Sequence, residues 1–167
     1  MRWPGYGDFK ATSGMVGWQD PKQQCEPDRG PVPEGSFRLQ LTVDKAYAQD
    51  DGSGMCDLKP ASPMQYIPRG PAAGACEQFW ANWGHRRVRL HPADAATRAQ
   101  CNGGRSGFYI HDSTKGYSHG CIEIEGAFFN HFIALVSSQP LKKPKLWLTL
   151  SVKYTPGQPT NGGTKKP

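Results

Sequence analysis

The segment Gly107-Phe108-Tyr109-Ile110-His111-Asp112-Ser113-Thr114-Lys115-Gly116-Tyr117-Ser118-His119-Gly120-Cys121 sets two imidazoles and a thiol within one short, turn-rich stretch. Its first part is aromatic and β-branched, the composition of a buried strand. His111 is therefore expected at a strand end, facing a cleft, with Gly116 and Gly120 letting the chain turn back. A thiol is a useful nucleophile only as thiolate, and its pKa of about 8.5 falls beside an imidazolium or a helix N-terminus. The segment thus reads as a cysteine-nucleophile site centred on Cys121. Gly120 allows close backbone approach beside the sulfur, and the amides around Gly120 and Cys121 are candidates for an oxyanion hole.

Two plainer readings compete. Most cysteines are inert small hydrophobes or halves of disulfides. Alternatively His111, Asp112, His119 and Cys121 could ligate zinc, which accepts N, O and S donors. Asp112 adjoins His111 and would point to the opposite side of an extended chain, and no second Cys/His pair at finger-like spacing appears, so the zinc reading is the weaker.

The tail of the segment, Ser118-His119-Gly120-Cys121-Ile122-Glu123, resembles the Ser-His-Gly-Cys signature of the L,D-transpeptidase catalytic domain family, whose members act on peptidoglycan stem peptides. Gly30-Pro31-Val32-Pro33-Glu34-Gly35-Ser36-Phe37 is similar to the Gly-Pro-x-Pro-x-Gly-(Ser/Thr)-(Tyr/Phe) strand entry of a compact branch of that family. Trp83 to Leu90 and Arg105 to His111 resemble two further segments of the branch, so the likeness runs in order from about Thr12 to Glu125. The chain departs from the family at three points. Six residues separate His111 from Ser118, which implies a shorter active-site lid; Asp112 replaces the usual Gly or Ser, and Glu123 stands where many relatives carry Arg, Asn or Asp.

The chain of 167 residues is long enough for one domain to bury a core. With 20 Gly and 15 Pro it is loop-rich, and a mean hydropathy of -0.65 with no long apolar run speaks against a membrane span. Met1 to Lys10 contains no apolar h-region, so no Sec signal peptide is expected. A net charge of +6 suggests an anionic partner. Nucleic acid is discounted, since the basic residues are scattered and no nucleic-acid motif accompanies them; anionic cell wall serves equally well.

With Cys121 set aside, Cys25, Cys56, Cys76 and Cys101 form an even set in Pro/Gly-rich loops, where disulfides staple irregular structure. Three pairings are open, of which Cys56 with Cys76 would close the excursion Asp57 to Ala75. Oxidised cysteines and a cell-wall substrate together point to the bacterial periplasm.

Apolar residues alternate from Ser36 to Val43, a half-buried strand after a rigid Pro-rich turn. Asp44 to Gly74 reads as extended loop, Glu77 to Trp83 as a short helical turn, and Arg87 to Leu90 and Phe108 to Ile110 as strands. Gly126 to Val136 carries apolar residues at helical spacing and should pack behind Cys121. Leu146 to Val152 is a last strand. The expectation is a single mostly β domain over 1–154, a compact L,D-transpeptidase-like sandwich or partial barrel with one helix after the nucleophile, and a disordered tail over 155–167.

The resemblance implies a catalytic cycle. Cys121 attacks the carbonyl of an L-centre to D-centre peptide bond in a muropeptide stem, and His111 draws the thiol proton and returns it to the leaving amine. The Asp112 backbone or carboxylate, or another carbonyl, fixes the His111 tautomer. His119 and Ser118 shape the loop and hydrogen-bond substrate. Arg105 and Arg87 are candidates to grip a stem carboxylate by a bidentate fork or to form structural ion pairs. Trp80 and Trp83 could line a sugar- or peptide-binding groove or sit in the core, and Tyr109 is a further candidate for substrate binding. His85, His91 and His131 have no claim on the thiol, and Lys142 to Lys145 reads as a solvated turn. No cofactor or metal is called for. Water as acceptor gives L,D-carboxypeptidase activity, a D-amino acid gives exchange, and a stem amine gives a crosslink. The branch includes antibacterial effectors delivered by type VI secretion, which implies an immunity protein as partner of an otherwise monomeric enzyme; a trimmed housekeeping cell-wall enzyme and a non-catalytic peptidoglycan-binding module are the alternatives.

Overall fold

Short strands separated by Gly- and Pro-rich turns build the chain, as the period-two alternation requires. In a computed structural model that describes residues 1–140, 142 and 144–165, the strands are β1 (Arg2–Trp3), β2 (Gly7–Asp8), β3 (Ala11–Ser13), β4 (Gly35–Gln40), β5 (Val43–Tyr47), β6 (Met64–Tyr66), β7 (Arg86–Arg89), β8 (His91–Pro92), β9 (Tyr109–His111), β10 (Ile122–Ile124) and β11 (Trp147–Val152). The α-helices are α1 (Glu77–Trp80), α2 (Ala95–Ala99) and α3 (Ala127–Ser137). Residues 166–167 of the expected tail and Lys143 of the basic turn lie outside the described residues.

Six strands form one sheet in the order β3-β10-β9-β7-β6-β5, three form another in the order β11-β4-β8, and β1 and β2 make a separate hairpin. Pairing is antiparallel except between β9 and β10 and between β5 and β6. The two sheets share a core with α3: Phe37 and Leu39 come from β4, Ile110 and Ile124 from β9 and β10, and Phe128 and Phe132 from the helix. Each buried Phe removes enough apolar area to contribute roughly 1.5–3 kcal/mol before conformational entropy is counted. The helix after Cys121 is thus where its apolar spacing puts it. The molecule is a small, mostly-sheet domain with open sheets and a few short helices.

Three features depart from expectation. The stretch Asp44 to Gly74 is not all loop, because β5 and β6 pair within it. Most of β5 is exposed, so neither periodicity nor burial marks it. Helix α2 forms where none was expected, and the Asp94 carboxylate caps it by accepting from Thr97 N at 2.7 Å. Lastly, residues 155–165 are ordered. A polar composition suggested disorder, but β3 is a sheet edge whose backbone needs partners, and the segment supplies them. Ser13 N donates to Thr160 O at 3.0 Å, Thr12 bridges Asn161, and Thr160 and Thr164 are buried.

Disulfides join Cys25 to Cys101 and Cys56 to Cys76, and Cys121 is free. The second bridge closes the Pro-rich excursion over a small satellite core, where Trp80 is buried and donates from Nε1 to Cys56 O at 2.7 Å. Trp80 is therefore a core residue. Two disulfides are consistent with an exported protein, and no helix among the described residues is long and apolar enough to cross a membrane.

The bridges span 76 and 20 residues, so each is expected to stabilise the fold by about 3–5 kcal/mol through restriction of the unfolded chain. A thiol titration of the denatured, unreduced protein should find one thiol per chain, and reduction should lower the thermal midpoint by more than about 10 °C. A count of five, or an unchanged midpoint, contradicts the pairing.

Candidate active site

Cross-strand register assembles the site. His111 on β9 lies opposite Glu123 on β10 and opposite Arg87 on β7; Arg87 lies opposite Gln65 on β6, and Glu123 opposite Thr12 on β3. Side chains alternate between the two faces of a sheet. Val88, Ile110 and Ile124 therefore enter the core, and Thr12-Glu123-His111-Arg87-Gln65 runs as one polar row across the opposite face. All five residues are at most 4% exposed. Loops rather than solvent cover the row: the Leu58–Lys59 stretch, the Trp83 turn, the crossover from Asp112 to Cys121 and the C-terminal segment.

At one end of the row, Arg87 donates from Nε to Gln65 Oε1 at 2.9 Å and from Nη2 to Leu58 O and Lys59 O at 3.3 and 3.0 Å. Its guanidinium carbon sits 4.6 and 4.5 Å from the ring centroids of Trp83 and Tyr109. No carboxylate pairs with it among the described residues, so it is a buried cation held by carbonyls and π faces. Arg105 is similarly occupied. It donates to Gln24 O, to Pro31 O at 2.6 Å and to Gly30 O at 3.0 Å, pinning the Pro-rich strand entry against the nucleophile loop. Neither arginine is free to grip a substrate carboxylate, which corrects that expectation for both. The close fit explains Gly120: its φ is +99°, and an added Cβ would lie 2.2 Å from Arg105 Nη2.

Cys121 lies one step before β10, beside Tyr109, whose backbone N–H donates to Sγ at 3.4 Å. Its carbonyl accepts from Ser13 Oγ at 2.7 Å and Ser118 Oγ at 2.5 Å, and Ser118 Oγ accepts from Gly14 N at 3.2 Å. Ser118 thus clamps the backbone of Cys121, its hydroxyl taken up by the Cys121 carbonyl and the Gly14 amide. Burial pushes the Cys121 thiol up to about 11, only partly offset by the Tyr109 N–H and by Arg87 and Arg105. His111 is pulled down to about 3 by burial and by the charges of Arg87 and His119. His111 therefore supplies no imidazolium at neutral pH, and the resting Cys121–His111 pair is a protonated thiol and a neutral ring.

Asp112 faces away from His111. Its carboxylate accepts from His85 N and Arg86 N at 2.7 and 2.9 Å and from Arg86 Nε at 2.7 Å, tying the crossover to the start of β7. The tautomer role expected of that carboxylate falls to another group, and the four-ligand zinc set is not brought together. The partner of His111 is Ser113, whose Oγ lies 3.2 Å from Nδ1 and also contacts Glu123 Oε2. Trp83, His111, Tyr117, His119 and Cys121 line one small cavity of about 60 Å³. Trp83 meets His111 edge-on at 5.6 Å, which fits a lining role, and His119 is exposed at the rim. Lys115 also borders a larger cavity of about 670 Å³ that is lined by Lys10, Arg69, Arg86 and Lys165.

Sequence reasoning missed Ser113 and Glu123 as site residues. A signal was present: Ile122-Glu123-Ile124 and Arg87-Val88-Arg89 set charges into apolar strands with period two. A charge on a buried strand requires a partner.

Two measurements follow. The iodoacetamide alkylation rate of Cys121 should climb about tenfold per pH unit through neutrality with no plateau below pH 9, because the thiolate fraction is set by a pKa near 11; a plateau at neutral pH contradicts the neutral pair. Asp112→Ala should cost about 3 kcal/mol in denaturant unfolding, since it strands a half-buried Arg86. A large loss of rate with unchanged stability would return Asp112 to the chemistry.

No protein-family model matches the chain, and no curated protein matches it significantly.

Proposed function

We propose that this chain is a cysteine enzyme of the L,D-transpeptidase type that transfers the acyl group of peptidoglycan stem peptides. The observation that carries the reading is the shared cavity of Cys121 and His111, flanked by the buried Arg87 cation, at the place where the Ser-His-Gly-Cys motif resembles that family. A stem peptide carries carboxylates, and the larger cavity, which shares Lys115 with the thiol site, is lined by Lys10 and Lys165, which make no ion pair among the described residues, beside Arg69 and Arg86, which are paired to Glu77 and Asp112. Lys10, Lys115 and Lys165, rather than Arg87 and Arg105, are the candidates for substrate binding.

The neutral resting pair shapes the chemistry. His111 takes the proton of Sγ as sulfur bonds to the carbonyl carbon, so negative charge develops on the substrate oxygen, where the Gly120 and Cys121 amides are the candidate donors. The charges of the buried Arg87 and the half-buried Arg105 favour that negative charge electrostatically. The C–N bond then breaks, the proton passes from His111 to the leaving amine, and a thioester remains on Cys121. Water, a D-amino acid or a stem amine resolves it. The disulfides suit a periplasmic site of action, and the effector route with its immunity protein stays part of this proposal.

Incubation with tetrapeptide muropeptides, followed by mass spectrometry, should reveal loss or exchange of the terminal D-residue. Cys121→Ala should abolish the change without unfolding, and His111→Ala should slow it by about 10² to 10⁴, the range of a positioned general base. Binding to muropeptides without turnover in the unaltered protein would identify a binding module instead, and a His111→Ala loss no larger than that of His131→Ala would move the base role to His119.

A further inference from the structure

The Glu123 carboxylate is fully buried, has no ion-pair partner among the described residues, and receives four donors. Lys115 N donates to Oε2 at 2.9 Å and Gly116 N to Oε1 at 2.7 Å; the hydroxyls of Ser113 and Thr164 make the other two contacts, at Oε2 and Oε1. This is the donor set of a carboxylate anion, which can only accept. Ser113 has a single hydroxyl proton. Its contact with Oε2 commits that proton to Glu123, so toward His111 Nδ1, 3.2 Å away, the Ser113 oxygen can only accept.

We propose that Glu123, acting through Ser113, is a positioning residue that holds His111 as its Nδ1–H tautomer and leaves the Nε2 lone pair as the ring's proton acceptor. The catalytic meaning of this rests on the acyl-transfer reading; the tautomer does not. The arrangement also makes the C-terminal segment part of the site, because the Thr164 hydroxyl touches both Glu123 and Thr12, the latter at 2.8 Å. Ser113 bridges neighbours on two adjacent strands, and Thr164 closes the row from its edge. Orienting groups of this kind act on rate rather than on substrate affinity.

Long-range ¹⁵N–¹H correlation spectra at pH 7, with His111 assigned by the signal lost in His111→Gln, read the tautomer directly. The unaltered protein is expected to give the Nδ1–H pattern. Ser113→Ala keeps the other three donors of Glu123, and should shift His111 toward Nε2–H and lower kcat at least about tenfold with little change in KM; Ser113→Thr should restore both. Thr164→Val should shift the tautomer in the same direction by a smaller amount. An Nε2–H pattern in the unaltered protein, or a tautomer indifferent to Ser113→Ala, overturns the proposal. Absence of turnover on muropeptides would instead sink the acyl-transfer reading and leave the spectrum to decide the tautomer.

Discussion

A buried Arg87 on one side of His111 and a buried Glu123 on the other form the constraint on which the rest of the structure depends. An isolated charge in a protein interior costs several kcal/mol, and neither residue meets the other directly. Each is held instead by dipoles: Arg87 by Gln65, two backbone carbonyls and two aromatic faces, and Glu123 by two amides and two hydroxyls. Those partners come from the 57–75 excursion, the Trp83 turn, the 112–121 crossover and the C-terminal segment. Satisfying the row therefore organises four loops.

The same constraint explains the crossover. Parallel neighbours usually need a connection of a dozen or more residues, most often a helix, yet only the ten residues Asp112 to Cys121 join β9 to β10. Glu123 gathers the amides of Lys115 and Gly116, Asp112 ties the start of the loop to β7, and Ser13 with Ser118 holds the carbonyl of Cys121. Loop conformation is thus set by polar bonds rather than packing. It presents the thiol beside a ring that burial, and secondarily the field of Arg87, keeps neutral.

Much of this was legible in the sequence, and the reasons differ by element. Strands β4 and β11 and helix α3 announce themselves, because each buries one face and so keeps the period of its backbone. The end of β9 at His111 was legible because a strand-forming run leads directly into it. Strand β5, largely exposed, left no periodic trace. The C-terminal segment was misread because polarity was taken as solvation, when its hydroxyls and amides complete a sheet edge. Asp112, Arg87 and Arg105 carry the residue types that catalysis and substrate binding need, but whether a charge faces substrate or its own fold depends on cross-strand register. Register is a long-range property, and the same property concealed Glu123.

The account stands or falls on covalent chemistry at one sulfur. Intact-protein mass spectrometry after rapid acid quench of a reaction with tetrapeptide muropeptide reads that step directly. The account predicts a mass increase equal to the stem acyl group lacking its terminal D-residue, located on Cys121, released by hydroxylamine and absent from Cys121→Ala. Turnover that persists in Cys121→Ala, or turnover whose adduct maps to another residue, would contradict it.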